Sequence, residues 1–413
     1  MSDFYLGMDF GTSGARALVI DESLGIVYQK KVNPVNYSAP HHWQEVLFSL
    51  LNDIPLMIKQ HLGAIAINGT SSTMILCDQW GNPLDSPLWY NDNRGQIYLD
   101  ELRHFVPKNH LVLSATSSLS KVYWWYKKGL TNNAKYVLNQ ADWLGFLLHN
   151  QLGISDYHNI LKLGYDVENL IYPNWLQNLP FFDLFPQVKS PGEVVDLISP
   201  NIAKNYQINP QCVVKTGTTD SIGAFIASGA SQAGIGVTSL GSTLVIKLLS
   251  TTKIDHFPSG IYSHRFGDLW LVGGASNSGG AVLKYYFSDQ ELQELSLQIN
   301  PSQFTNFNYY PLLKKGERFP INDVNLEPKL TPKPDNKVLF LQGLLEGIAD
   351  IENRGYQLLE TMGATPVTQV YTAGGGAKNA VWTTIRQGKL KLPIMTAHQT
   401  ESAYGGALLA LGR

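Results

Sequence analysis

A chain of 413 residues is long enough for two or three domains, each burying its own core. With 44% hydrophobic and 15% charged residues the composition is globular, which excludes a disordered chain, and a net charge of -2 lacks the basic footprint that nucleic-acid backbones require. No nucleic-acid partner is expected.

Cys77 and Cys212 are too few for a disulfide framework and lack the paired spacing of a zinc site, so a reducing compartment, the cytoplasm, is expected. The N-terminus, Met1-Ser2-Asp3-Phe4-Tyr5, carries no basic region followed by a long apolar stretch. No later run approaches the roughly eighteen apolar residues of a membrane span. A soluble, unprocessed protein with no membrane partner is the expectation.

In chain order, 5–10 reads as a short apolar strand with Asp9 near its end. The turn Gly11-Thr12-Ser13-Gly14-Ala15-Arg16 leads to a second strand at 17–20, followed by a turn at Asp21-Glu22-Ser23. Residues 64–67 form another buried strand, ending in Asn68-Gly69-Thr70-Ser71-Ser72-Thr73 before the apolar Met74-Ile75-Leu76. A third strand, 212–214, runs into Thr216-Gly217-Thr218-Thr219-Asp220-Ser221 and then a helix start. Strands that stop in small polar residues tend to set them in a crevice at the sheet's edge.

The strand–turn–strand plan restarts at Gly236-Val237-Thr238-Ser239-Leu240-Gly241-Ser242-Thr243, followed by a strand at 244–249. We read this as the opening of a second lobe built like the first. Val338, Leu341, Leu344, Leu345, Ile348 and Ile351 lie at helical spacing and predict a long amphipathic helix. A strand at 367–371, a turn at Ala373-Gly374-Gly375-Gly376-Ala377-Lys378-Asn379 and a helix at 380–386 follow. The stretch 304–333, rich in Pro, Asn and Lys, is expected to be a surface loop or irregular arm.

Phosphoryl transfer needs backbone amides and small hydroxyls around the phosphates, a carboxylate near the metal, and a base facing the attacking hydroxyl. Asp9 with Gly11, Thr12, Ser13 and Gly14 supplies a carboxylate beside an amide-rich loop, suited to Mg²⁺ directly or through water. Ser242 and Thr243 offer a second such loop. Gly, Ser, Thr and Asp also fill turns for conformational reasons alone, and each loop has that plainer reading. No P-loop is present. Gly374, Gly375 and Gly376 would let backbone pass close to a charged or flat ligand beside a helix N-terminus, or simply make a tight turn. Asp220 is a candidate general base, although from its spacing before an apolar helical run the stronger reading is a helix N-cap. His158 and the pair His41-His42 lack a second ligand at helical spacing and read as surface or structural residues. Trp124 and Trp125 read as core.

This order of motifs resembles the FGGY family of carbohydrate kinases, and the likeness runs over nearly the whole chain. Gly7-Met8-Asp9-Phe10-Gly11-Thr12-Ser13-Gly14-Ala15-Arg16 looks like its first phosphate loop, and Leu88-Trp89-Tyr90-Asn91-Asp92-Asn93-Arg94 like its segment near the sugar. Ser190-Pro191-Gly192-Glu193-Val194-Val195 followed by Thr216-Gly217-Thr218-Thr219-Asp220 looks like the stretch ending in the catalytic aspartate. Leu344-Leu345-Glu346-Gly347-Ile348-Ala349, the triple-glycine turn and Glu401-Ser402-Ala403-Tyr404-Gly405-Gly406-Ala407 complete the set. The chain is shorter than common members, and Asn68-Gly69-Thr70-Ser71-Ser72-Thr73 replaces the Gly-Gln-Met-His-Gly of many xylulose kinases. It looks closest to a short, xylulose-kinase-like branch of cyanobacteria and plants.

The resemblance implies an α/β fold of two ribonuclease-H-like, actin-like ATPase lobes with an interlobe active-site cleft. The first lobe, 1–227 joined by 401–413, would bind sugar, and the second, 228–400, ATP. It implies Asp220 as base, Asp9 near the metal and reacting phosphate, and Thr12 and Ser13 on the γ-phosphate, with Gly11, Gly14 and Arg16 nearby. It also implies Ser242 and Thr243 on the β/γ-phosphates, Gly374, Gly375, Gly376 and Asn379 along the adenosine, Trp382 against the adenine, and Ser71 on the sugar. ATP and Mg²⁺, a ketopentose such as D-ribulose or D-xylulose, and a monomer or homodimer follow as expectations. The rival classes are an actin-like or chaperone-type ATPase without a sugar acceptor, and a non-catalytic sugar sensor.

Overall fold

A computed structural model describes residues 3–12, 14–34 and 37–413. The chain divides into two units, Met1–Ala227 with Glu401–Arg413, and Ser228–Thr400.

In the first unit the apolar run and its glycine turn give β1 (Phe4–Phe10) and β2 (Ala15–Ile20), with β3 (Ile26–Val32) continuing the antiparallel meander. Helix α1 (Pro40–Asp53) buries Trp43, Leu47, Leu50 and Leu51 on one face, returning the chain to β4 (Leu62–Gly69), parallel to β1. A ribbon of β5 (Met74–Cys77) and β6 (Tyr136–Asn139) flanks helix α2 (Ser118–Lys127) in sequence, and α3 (Gln140–His149) begins at a capping box of Asn139 and Asp142. Strands β7 (Val194–Leu197) and β8 (Val213–Lys215) close the sheet, β8 parallel to β4, and α4 (Asp220–Ala227) follows. The strand order is β3-β2-β1-β4-β8-β7.

The C-terminal helix, Ser402–Leu411, packs on this sheet at backbone distance. A Cβ at Gly7 would lie 1.9 Å from the Ala403 carbonyl oxygen, and one at Gly405 1.9 Å from that of Gly223. Hydrogen in place of a side chain is therefore required for the helix to seat against β1 and α4.

The second unit repeats the plan. Strands β9 (Ile235–Leu240), β10 (Leu244–Ser250), β11 (Tyr262–Phe266) and β12 (Leu269–Ala275) precede the short helix α5 (Gly280–Tyr286) and the long α6 (Lys337–Thr361). Then come β13 (Gln369–Ala373), α7 (Ala380–Leu390) and β14 (Ile394–Thr396). The order is β11-β12-β10-β9-β13-β14, with β13 parallel to β9 and β14 parallel to β13. Setting aside the edge strands β7 and β11, each sheet has its first three strands antiparallel and its last two parallel to the first.

Helix α6 buries the predicted stripe, Leu341, Leu344, Leu345, Ile348 and Ile351, in the unit's core. Arg386 and Glu352, both fully buried, form a two-pronged ion pair at 2.6 and 2.7 Å, with Arg386 also donating to Thr372. The 304–333 stretch has neither helix nor extended strand, but it is no mere surface arm. Tyr309, Tyr310, Leu312 and Phe319 are buried in the core, because aromatic and aliphatic side chains spaced along irregular backbone bury apolar area without periodicity.

Candidate active site

Asp9 stands one residue from the end of β1, with Arg16 its cross-strand partner on β2 and Asn68 its neighbour on β4. Asp220 begins α4, just past the end of β8. Parallel strands thus deliver two carboxylates, 211 positions apart in sequence, to one edge of one sheet. Burial and then the Asp220 charge push the Asp9 carboxyl up to about 7, opposed by a hydrogen bond from Ser402 and by the Arg16 charge. The residue is half-buried, while its Oδ1 is sealed and has no hydrogen-bond partner among the described residues. The Asp220 charge opposes ionisation of Asp9, and a cation or a proton at Asp9 would relieve that repulsion.

Two residues to which the sequence reading gave no site role hold this edge together. Asn68 is fully buried; its amide donates to the Ser402 carbonyl (2.8 Å) and hydroxyl (3.1 Å), and its Oδ1 accepts from the Thr218 amide (3.1 Å). It therefore ties β4 to the C-terminal helix and to the turn carrying Asp220, while Ser402 passes the link on to Asp9. His158 is buried, its Nδ1 paired with the Thr218 hydroxyl at 2.7 Å, in agreement with a structural role.

The loop after β1 is tight: the Gly11 amide donates to the Gly14 carbonyl at 3.0 Å, and a Cβ at Gly14 would meet the Val32 carbonyl oxygen at 2.3 Å. Thr12 is exposed, and Ser13 lies outside the described residues. Arg16 pairs with Glu401. Ser71 is half-buried in the turn between β4 and β5.

In the second unit, three loops gather at the end of β9. The first is Gly241-Ser242-Thr243, where Ser242 is exposed and Thr243 half-buried. The second, 276–281, was missed: Gly280 and Ala281 amides donate to the Gly241 and Ser242 carbonyls at 2.9 and 3.0 Å, and the Leu244 amide donates to the Ser278 carbonyl at 2.8 Å. Its signal was Ser276-Asn277-Ser278-Gly279-Gly280, small residues directly after a strand. The third is the triple-glycine turn, where Gly374 has φ +83° and a Cβ would meet the Leu240 carbonyl oxygen at 2.8 Å.

One expectation is corrected here. Trp382 cannot offer a face to adenine: it is 2% exposed, its indole N–H donates to the Leu345 carbonyl at 3.1 Å, and a Cβ on Gly376 would strike its ring at 2.6 Å. It is the floor beneath the glycine turn, because the first turn of α7 points this side chain into the core. The glycines run into a 3₁₀ turn, Gly375–Lys378, and Asn379 then spends its side chain capping α7 through the Trp382 amide (3.0 Å) and donating to Ser296 (2.9 Å).

A carboxylate pair at one sheet edge and converging glycine–hydroxyl loops on a repeated sheet are what phosphoryl transfer asks of a protein. The chain belongs to the FGGY family of carbohydrate kinases, whose N-terminal domain matches residues 4–227 and C-terminal domain residues 236–412. It is a sugar kinase, with ATP as phosphoryl donor, on the two-domain actin-like, ribonuclease-H-like fold. Among its relatives are a gluconokinase of Bacillus subtilis (strain 168), 22% identical over 461 residues, 99% of this chain and 87% of the relative, and a xylulose kinase of Staphylococcus xylosus, 21% identical over 98% and 90%. The crystal structure of a xyloylose kinase from Brucella ovis matches with a TM-score of 0.86 at 21% identity, over 99% of this chain and 90% of that one.

Proposed function

We propose that the protein transfers the γ-phosphoryl group of ATP to the terminal primary hydroxyl of a ketopentose, D-ribulose or D-xylulose. The observation that carries this reading is the Asp9–Asp220 pair, two carboxylates close enough for one charge to lift the other's pKa. Xylulose kinases that match nearly the whole chain support the sugar class. The gluconokinase of similar coverage makes gluconate the alternative acceptor.

In this mechanism Asp220 accepts the proton of the acceptor hydroxyl as its oxygen attacks the γ-phosphorus in line. Ser71 holds a sugar hydroxyl. The loop Gly11-Thr12-Ser13-Gly14, with Arg16, receives the γ-phosphate. Ser242 and Thr243 take the β/γ-phosphates, and Gly374 to Gly376 lie along the adenosine, with the backbone rather than the occupied side chain of Asn379.

The sealed, unpartnered Asp9 Oδ1 is a hard oxygen donor and suits Mg²⁺. No cluster of three or more His, Cys, Asp or Glu able to hold a metal occurs among the described residues. A Mg²⁺ ion here would be held by one or two carboxylates, with substrate phosphates and water completing its shell. When bound, Mg²⁺ would neutralise charge on the phosphates. Asp9 would hold it directly or through water.

The cytoplasm is the proposed compartment. Cys77 and Cys212 are free and buried, and burial pushes both thiols up to about 12, which leaves them inert. No described helix is long and apolar enough to cross a membrane.

Gly375 offers a specific check on the nucleotide loop. A Cβ there would meet nothing within 4 Å, so the fold does not require glycine at this position. Gly375→Ala should leave the melting temperature within about 2 °C, yet raise KM for ATP roughly tenfold by crowding a ligand lying along the loop. An unchanged KM for ATP would remove the loop from the nucleotide site.

ADP release measured with ketopentoses, polyols, hexoses and gluconate tests the whole reading. Turnover should depend on D-ribulose or D-xylulose. Equal ADP release without any sugar would mark an ATPase, and none with any acceptor a silent sensor.

A further inference from the structure

Helix α2 buries a lysine. Lys121 is fully buried, and its Nζ donates to two carbonyls, Ser72 at 2.7 Å and Trp89 at 2.7 Å. These belong to two different loops: the Ser71-Ser72 turn between β4 and β5, and the segment from Leu88 to Arg94. Ser72 itself stands at φ +62°, the left-handed region that disfavours a side chain, and its buried hydroxyl has no partner among the described residues.

Three further hydrogen bonds join the two loops. Thr73 Oγ1 accepts from the Tyr90 amide at 3.1 Å, and Leu88 and Met74 exchange amide bonds at 2.9 Å. Gln140 holds the other side of the turn through the Thr70 amide and hydroxyl, each at 3.0 Å. The Leu88–Arg94 side is stiffened by an Asp92–Arg94 ion pair at 2.9 Å and by Arg94 over the Trp124 ring at 4.7 Å.

We propose that Lys121 is a positioning residue for the acceptor sugar, fixing Ser71 and the Trp89–Tyr90 backbone relative to each other by pinning both loops to one nitrogen. The inference rests on the sugar-kinase reading and on Ser71 touching the acceptor. A purely apolar side chain would fill the space but leave the buried Ser72 carbonyl without its donor and the Trp89 carbonyl with the Asp92 amide alone (2.9 Å), so the tie between the strained Ser72 turn and the Trp89 segment through one nitrogen would be lost. Burial pulls the Lys121 ammonium down to about 7, with Asp92 opposing and Lys162 adding to the shift. A lysine kept at that cost of desolvation, where its donors rather than its charge are used, is consistent with a geometric task.

Lys121→Met keeps the chain length and removes the donors. With D-ribulose or D-xylulose as acceptor, whichever the wild type turns over, its sugar KM should rise at least tenfold, while KM for ATP stays within about twofold. Lys121→Gln retains two N–H donors on a shorter arm and should lie between the two; it also carries the test if the Met variant does not fold. A sugar KM unchanged in the Gln variant and in any folded Met variant, or sugar and ATP KM rising together, overturns the proposal. If the wild type itself shows no sugar-dependent turnover, the sugar-kinase reading fails first and this inference with it, so the two failures are told apart by the wild-type control.

Discussion

Asp220→Ala should lose sugar-dependent phosphorylation by roughly a hundredfold or more, the usual contribution of a general base, with ATP binding little changed. The substitution has a structural complication, since Asp220 opens α4 and its Oδ1 accepts from the Ser221 amide at 2.6 Å. Alanine removes a helix-terminal contact as well as a base. Asp220→Asn separates the two roles, because an amide oxygen still accepts from Ser221 but cannot take a proton. If the base is what matters, the Asn variant is as inactive as the Ala variant and melts near the wild type. Full turnover in Asp220→Asn would return this residue to a helix terminus and nothing more.

Asp9→Asn should also cost a hundredfold or more in kcat, for a different reason: the carboxylate that would hold Mg²⁺ is gone while the fold gains. The gain follows from linkage. The folded-state pKa of Asp9 is raised from 3.8 to about 7, so the folded protein holds a proton that the unfolded chain has released. That stabilisation is fully present below pH about 4 and is lost as pH rises through about 7. At pH 8 the buried charge is a penalty of ~2 kcal/mol, after discounting the shift for the carboxyl's open edge. Asp9→Asn should therefore melt above the wild type at pH 8, with the difference shrinking toward pH 5. In the wild type, kcat/KM, which reports groups of the ligand-free enzyme, should fall as pH drops below about 7 and Asp9 takes up its proton. A variant destabilised at pH 8 would mean that the pair does not repel.

How much of this was written locally decided how much was legible. The hairpin around Gly11, the restart at Gly241 and the stripe on α6 are properties of neighbouring residues, and a linear reading reaches them. Asn68 and Ser402 are 334 positions apart, and neither carries a mark that it will meet the other. Lys121 looks like an ordinary helix lysine until two carbonyls from other loops are seen against it. The role of Asp220 came into view through family resemblance, since spacing alone favoured a helix cap.

Trp382 shows the opposite error. Its place one turn past a glycine loop suggested a ligand contact, but the first turn of α7 directs it inward, where it fills the core and supports Gly376 from below. The 304–333 arm failed for a related reason: irregular backbone has no period to betray burial, so its composition spoke of surface while Phe319 sits at 1% exposure.

The most direct test is a crystal structure of the protein with Mg²⁺, a non-hydrolysable ATP analogue and D-ribulose. The account predicts the Asp220 carboxylate within about 2.6–3.2 Å of the terminal sugar hydroxyl, and Asp9 on the ion or one of its waters. A sugar seated with its terminal hydroxyl away from Asp220, or a γ-phosphate remote from Asp9, would contradict it.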